Sequence, residues 1–443
     1  MTGAAPNPIY AGLFGDPETE TQFTAEAEIA AMIRVEVALA QVQGDLGVIP
    51  GAAADALVRG LSGVTIAPDA LTAETARNGV PIPALVQALR DALPDGQGAG
   101  HLHWGATSQD IMDTGLALRL APVLTLWQAR LGAILGLLAD QAASHADLPM
   151  AARTYGQVAT PTSFGAVVAG WGWPLIEHRA AVDAVGARVL RVSLAGAAGT
   201  LSAMGPEAPQ VRAALGKALD LDDPGRGWHA DRSGPVALAG WAAGLAASIG
   251  KIGEDLLLLT QSGLGLVTIS GGGSSSTMPQ KQNPVGPSAM VALARHVIGL
   301  SVTLHGAGLH RQSRDGAAWF TEWLTLPQLC VATGAMLRLT QDVLGRLSPD
   351  AAAMARDLAA GHGLIHAEAI TFAATRHAGL SRTEAATRVK ALCRQAQVDD
   401  AGLPDLAARE WPEIDWPAAI AESALGVAPD EARSFASRIR DGA

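Results

Sequence analysis

The chain reads as an all-α protein built on long central helices, for three reasons. Apolar residues recur at spacings of three and four along most of its 443 residues. No segment sustains an apolar/polar alternation, and no strand–helix–strand rhythm appears. Three long stretches carry no charge at all, the pattern of helices that lie inside a bundle.

The elements follow in chain order. A Pro/Gly-rich segment from Pro94 to Gly100 precedes the longest periodic pattern. Leu116, Leu120, Leu124, Trp127, Leu131, Leu135 and Leu138 form one stripe of a helix predicted from Asp110 to Ala143. At about 1.5 Å per residue it spans about 50 Å, with Pro122 expected to kink it. The uncharged stretches are Thr154–Ile176, Ser233–Gly250 and Leu256–Gln280, each expected to be helix buried on nearly all sides. Gly, Pro, Ser and Thr interrupt the first and third, and the Ala/Gly-rich second has weak transfer energy, so none is read as a membrane span. Ser348-Pro349-Asp350 is expected to open a helix with an N-cap, a first-turn proline and a carboxylate near the positive end of the dipole. Ser381-Arg382-Thr383-Glu384 reads as a capping box. The seams divide the chain into an N-terminal helical domain (1–108), a central long-helix bundle (109–350) and a more charged C-terminal helical domain (351–443).

Composition narrows the function. Acidic residues outnumber basic ones, 42 to 31, for a net charge of −11, which argues against nucleic acid or an anionic membrane as partner. An anionic small substrate is compatible if cations are gathered locally. Cys330 and Cys393 are too few for a disulfide framework and too far apart for a CxxC metal pair. The first twenty residues hold neither Lys nor Arg and no apolar run, so no secretory signal is expected and the protein is read as cytoplasmic. His366-Ala367-Glu368 echoes a zinc-deaminase H-x-E, but no Pro-Cys-x-x-Cys follows and no metal is expected.

The most informative stretch runs from Ser270 through three glycines and three serines to Thr277-Met278-Pro279-Gln280-Lys281-Gln282-Asn283-Pro284. A flexible linker needs no Met-Pro-Gln-Lys-Gln-Asn-Pro. A P-loop is excluded, because Lys281 precedes Gln282 rather than Ser or Thr. What remains is a loop whose backbone N–H groups at Gly271–Gly273 can form an anion nest beside several hydroxyls.

This loop resembles the signature of the fumarase/aspartase superfamily, with the serine pair, Met-Pro, Lys and Asn at the family spacing. His103-Trp104-Gly105-Ala106-Thr107-Ser108-Gln109-Asp110 is similar to that family's first conserved block. Arg153-Thr154-Tyr155-Gly156-Gln157, continuing to Gly165, is similar to its second. Leu13-Phe14-Gly15-Asp16, and Glu322-Trp323 followed by Leu326-Pro327, resemble the carboxymuconate cycloisomerase branch. The likeness covers essentially the whole chain. It implies a three-domain fumarase/aspartase-like fold, a homotetramer with active sites shared between subunits, a small polycarboxylate substrate and no cofactor.

The chemistry of such a site assigns roles. Elimination or addition beside a carboxylate needs a base for the α-proton and donors for an enediolate-like dianion. Ser275 is the candidate base, Ser276 its rival; the alternative is that both hydroxyls only cap a turn. Lys281 and Asn283 suit a substrate carboxylate, one by charge and one by amide donation. Thr107 and Ser108 precede the long helix, where free N–H groups favour an anion or are satisfied by an ordinary N-cap. His103 is a catalytic candidate donating to the same anion, or else a satisfied structural histidine. The resemblance adds Thr154, Tyr155, Gln157 and Arg314 as substrate contacts.

The departures matter equally. Adenylosuccinate lyases and fumarases carry His where this chain has Tyr155. A second histidine of adenylosuccinate lyases aligns with Asn78, and their nucleotide-binding arginine with Trp323. In lactonisation the nucleophile is the substrate's own carboxylate, already ionised at pH 7, and in reverse it leaves without a proton. The expected reaction is therefore cycloisomerisation of a carboxymuconate, with a β-eliminating lyase of the nitrosuccinate or adenylosuccinate type as the alternative.

Overall fold

The computed structural model describes residues 7–442 except 272, 275–277, 279, 280 and 424, and omits the side chains of 95, 274, 422 and 423. Ser275 and Ser276 lie outside the described residues. The N-terminal part holds α1 (Ala25–Asp45), α2 (Gly51–Leu61), α3 (Asp69–Asn78) and α4 (Ile82–Ala92). The long helix α5 (Ser108–Ser144) extends the predicted span by a residue or two at each end and runs through Pro122. There follow the hairpin β1 (Pro149–Thr154) and β2 (Gln157–Ser163), α6 (Phe164–Val189), α7 (Ala208–Leu219) and α8 (Ser233–Leu259). After β3 (Val267–Ile269), β4 (Gly273–Ser274) and β5 (Gln282–Asn283) come α9 (Val285–Ala307) and α10 (Gly316–Gly345). The chain closes with β6 (Leu347–Pro349), α11 (Ala351–Ala359), α12 (Ala367–His377), α13 (Arg382–Asp399), α14 (Leu403–Glu410), α15 (Trp416–Ser423) and α16 (Ala428–Arg440).

The contacts form two units. The first comprises Met1–Leu131, His178–Ala247 and Ala292–Leu339; the second comprises Gly132–Glu177, Ser248–Val291 and Thr340–Ala443. Helices α5, α6, α8, α9 and α10 each contribute residues to both.

In the first unit α1 packs against α2 and α7 over a core that includes Met32, Leu39, Leu57, Leu85, Leu89, Ile111 and Val211. Trp127 stacks on Trp241 with ring centroids 5.5 Å apart. The Leu13-Phe14-Gly15-Asp16 motif acquires a structural role here. Asp16, fully buried, receives two hydrogen bonds from the Arg130 guanidinium at 2.7 and 2.8 Å, and Arg130 also donates to the Gly334 carbonyl at 3.0 Å. A buried carboxylate is tolerable only with such pairing, so the motif ties its segment to α5 and α10.

The second unit holds all three of the two-stranded antiparallel ladders among the described residues: β1–β2, β3–β6 and β4–β5. Its C-terminal helices surround a separate core of Ile370, Val389, Leu403, Trp411 and Trp416. The Ser381–Glu384 capping box forms reciprocally at the start of α13.

Three expectations need correction. The stretch from Thr154 begins as a hairpin before it becomes helix, and the stretch from Leu256 leaves its helix at Leu259 and turns into β3. Strands of two to seven residues are too short to show the alternation that identifies a sheet. The helix expected from Ser348 is capped instead by Asp350, whose side chain accepts from the Ala353 N–H, while Ser348 and Pro349 pair with β3. The uncharged stretch from Ser233, in α8, is also less enclosed than expected: the most apolar window of that helix is 50% buried. Helices α5, α8 and α9 are each long and apolar enough to cross a membrane.

Candidate active site

The first group of site residues sits at the head of α5, in the first unit, and Asp110 organises it. This carboxylate, with no exposed surface, accepts from the N–H groups of Thr107 at 3.0 Å, Ala195 at 2.8 Å and Gly196 at 3.0 Å. His229 Nε2 lies 2.7 Å from its Oδ1. The side chain thus satisfies an orphan N–H of the helix start and ties the 195–196 turn to it. The preceding residue, Gln109, donates to Asp113 one turn on at 3.1 Å and to the His229 carbonyl at 3.0 Å. Its own carbonyl oxygen accepts from Arg314 Nε at 2.8 Å, and Arg314 Nη2 reaches Thr107 Oγ1 at 3.4 Å. The structure brings Arg314 and Thr107 together beside the half-buried Ser108 at a helix N-terminus, where an anion is stabilised.

His103 lies on the preceding turn, with a left-handed backbone (φ 64°). Gln43 of α1 donates to the Trp104 carbonyl at 2.8 Å and fastens that turn. His103 Nδ1 is 2.6 Å from Glu36 Oε1, and the Glu36 side chain is 1% exposed against 19% for His103. Burial pushes the imidazole pKa down, but the hydrogen bond and charge of Glu36, with the charge of Asp110, carry it above the ordinary histidine value.

Behind this group lies a fully buried cluster. Arg232 donates to Asp113 at 2.8 and 3.2 Å and to both oxygens of Glu322, and its guanidinium stacks over Trp228 at 4.8 Å. A small pocket opens beside Asp113 and Glu322, walled by Phe23, Met112, Arg119, Trp323 and Pro327. Trp323 packs edge-on against Trp319 at 4.5 Å, so an apolar ring forms part of the pocket wall.

The second group lies in the other unit, on the β1–β2 hairpin. Thr154 pairs with Gln157 across a two-residue turn in which Tyr155 (φ 53°) and Gly156 (φ 73°) are both left-handed, the arrangement that two-residue hairpins prefer. Thr154, Tyr155 and Gln157 are exposed, Tyr155 completely so at 104%. Arg153, next to the turn, anchors that end of the hairpin on Asp357 of α11 at 2.7 Å.

The third group, in the same unit, frames the serine loop. Gly273 pairs with Asn283 and Ser274 with Gln282, so β4 and β5 bring the loop's two ends together. Asn283 is half-buried, Lys281 is exposed, and the Lys281 N–H donates to the Met278 carbonyl at 2.9 Å. Sequence reasoning missed Glu36, Asp110, Asp113, His229 and Arg232. Their charged or imidazole partners stand 67 to 119 positions away, so no local spacing marks those pairs.

Residues 6–299 match the protein family described as Lyase. The chain belongs to this family, within the fumarase/aspartase superfamily. A relative, the 3-carboxy-cis,cis-muconate cycloisomerase of Pseudomonas aeruginosa, is 36% identical over 401 residues, covering 89% of this chain and 87% of its own. Among solved structures, the 3-carboxy-cis,cis-muconate lactonizing enzyme of Pseudomonas putida superposes with a TM-score of 0.88 at 32% identity, over 98% of this chain and 99% of its own. The β-carboxy-cis,cis-muconate cycloisomerase of Acinetobacter calcoaceticus gives 0.89 at 29%, over 97% and 100%.

Proposed function

We propose that this enzyme closes 3-carboxy-cis,cis-muconate to 4-carboxymuconolactone, a step in the breakdown of aromatic acids. The observation that carries this reading is the match to cycloisomerases along nine-tenths of the chain, in a sequence with Tyr155 where amine-releasing relatives need an acid. A substrate carboxylate oxygen attacks the double bond. The π electrons move onto the adjacent carboxylate as an enediolate, and the α-carbon then takes a proton. Arg314, Thr107 and Ser108 hold that anion at the head of α5, and Lys281 and Asn283 grip a second carboxylate. Ser275, with Ser276 beside it, delivers the proton as a hydroxyl and removes it as an alkoxide in reverse. The substrate's own carboxylates stabilise the charge, so the chemistry calls for no cofactor.

The chain is further proposed to act as a cytoplasmic homotetramer with shared sites. Val302 and Leu324 expose 69% and 71% of their surface on α9 and α10, with Ile298 and Phe320 beside them in sequence at helical spacing. Uncovered apolar helix faces of this kind favour association. The fully exposed Tyr155 supports a site completed by another copy.

One assay panel tests the activity: purified protein against carboxymuconate, adenylosuccinate, argininosuccinate, nitrosuccinate and fumarate, followed by ultraviolet absorbance. Turnover of carboxymuconate alone is expected. Turnover of adenylosuccinate or nitrosuccinate in its place overturns the cycloisomerase reading.

A further inference from the structure

Glu36 is a carboxylate inside the core-facing side of α1, with 1% of its side chain exposed. Leaving such a group charged and alone in a protein interior is prohibitive, and it survives only beside a cation or by taking up a proton. Its partner is His103 Nδ1 at 2.6 Å, a length typical of a charge-assisted bond. His103 keeps 19% of its side chain exposed, so the ring has one edge on the carboxylate and another toward the surface. The geometry around the ring is over-determined. The left-handed backbone at His103, the Gln43 bond to Trp104 and the left-handed Gly105, whose added Cβ would strike Met204 at 2.6 Å, leave the turn little freedom. Four residues on from His103 begin the hydroxyls and helix N–H groups that gather an anion.

We infer that Glu36 is a positioning residue that holds His103 as an imidazolium, so that Nε2–H serves as a fixed, charged donor to the substrate carboxylate on which the enediolate forms. The inference rests on the cycloisomerase reading for its substrate, though not for the ion pair itself. No proton leaves His103 in the reaction; its contribution is positive charge where negative charge develops. The other charged groups facing the ring are Asp110 of α5, which favours the cation, and Arg90 of α4, which opposes it. Asp110 is already committed to three N–H groups and His229, so Glu36 is the group that decides the charge.

The experiment reads the ion pair and catalysis separately. With 13Cε1-labelled histidine, the His103 resonance, assigned by its loss in His103→Gln, is titrated in the wild type and in Glu36→Gln. The wild-type signal is expected to titrate above the ordinary histidine value and to move to lower pH in Glu36→Gln. In parallel, kcat on carboxymuconate should fall about 10- to 100-fold in Glu36→Gln, with the basic limb of the pH profile shifted the same way. Glu36→Asp, which restores the charge, should recover part of both, and Glu36→Ser takes the place of Glu36→Gln if that variant fails to fold. An unchanged His103 titration in a folded, charge-free Glu36 variant overturns the inference. So does a shifted titration with unchanged kcat, KM and pH profile. If wild-type enzyme ignores carboxymuconate while the titration behaves as stated, the substrate reading has failed and the ion pair has not.

Discussion

At the residue scale, Tyr155 separates the chemistries available to this superfamily. Its hydroxyl stands exposed at the tip of a tight turn. If the group expelled in reverse is a carboxylate, Tyr155→Phe should cost at most about tenfold in kcat, the value of one neutral hydrogen bond near 1 kcal/mol. A loss of about 10²-fold or more, with fold intact, would return the proton-donor role to this position and reopen the amine-lyase reading. Ser275→Ala should instead lower kcat by about 10²–10⁴ with unchanged thermal stability; a drop below threefold at saturating substrate removes it as the proton-transfer group. The Glu36–His103 pair also makes a stability statement. His103 titrates above its unfolded value of 6.5, so its contribution is fully present below that pH and is lost as pH rises through the folded value. Melting temperatures of wild type and His103→Gln should therefore differ most in mild acid and converge toward alkaline pH. A gap independent of pH contradicts a charged pair.

At the element scale, close approach explains more than helix propensity does. Gly172 lies within α6, and a Cβ built there would sit 2.1 Å from the Phe435 ring of α16, which is completely buried. In an open helix Gly→Ala is stabilising by about 1 kcal/mol. Here overpacking costs roughly 1–3 kcal/mol and reverses the sign, so Gly172→Ala should lower the denaturation midpoint in urea. A raised midpoint would mean that α16 moves aside freely. The hairpin shows the opposite use of glycine: Gly156 supplies one of the two left-handed residues of the turn, and Tyr155 accepts the strain of the other. A bulky residue held left-handed is unusual, and it aims the ring outward from the strand pair.

At the scale of the whole molecule, the question is what covers the long helices. The apolar windows of α5, α8 and α9 are about half buried, and Val302 and Leu324 stand open to solvent. In the proposed tetramer such faces would be covered by other copies, and each hairpin tip would have a neighbour to reach. Light scattering should return four times the 45.2 kDa chain mass. An active, stable monomer contradicts both the assembly and the shared site.

The amino-acid sequence by itself determined what is local or periodic. The helical class, the extent of α5, the capping box at Ser381 and the serine-loop motif were all legible, because each depends on spacings of three to seven residues or on a contiguous run. The gathering of Thr107 and Arg314 was legible only through resemblance, since 207 positions separate them. Tertiary structure alone decided the rest. Short ladders leave no alternation to read, and Asp350 rather than Ser348 caps α11 because the residues before it are drawn into pairing with β3. Asp16, Glu36, Asp110, Asp113 and Glu322 look like ordinary surface acids in a chain of net charge −11. Each is buried, and only folding supplies its partner: Arg130 for Asp16, His103 for Glu36, backbone amides for Asp110 and Arg232 for the last two. A buried charge is defined by what surrounds it, and that is settled by the assembly of distant segments rather than by any neighbourhood in the sequence.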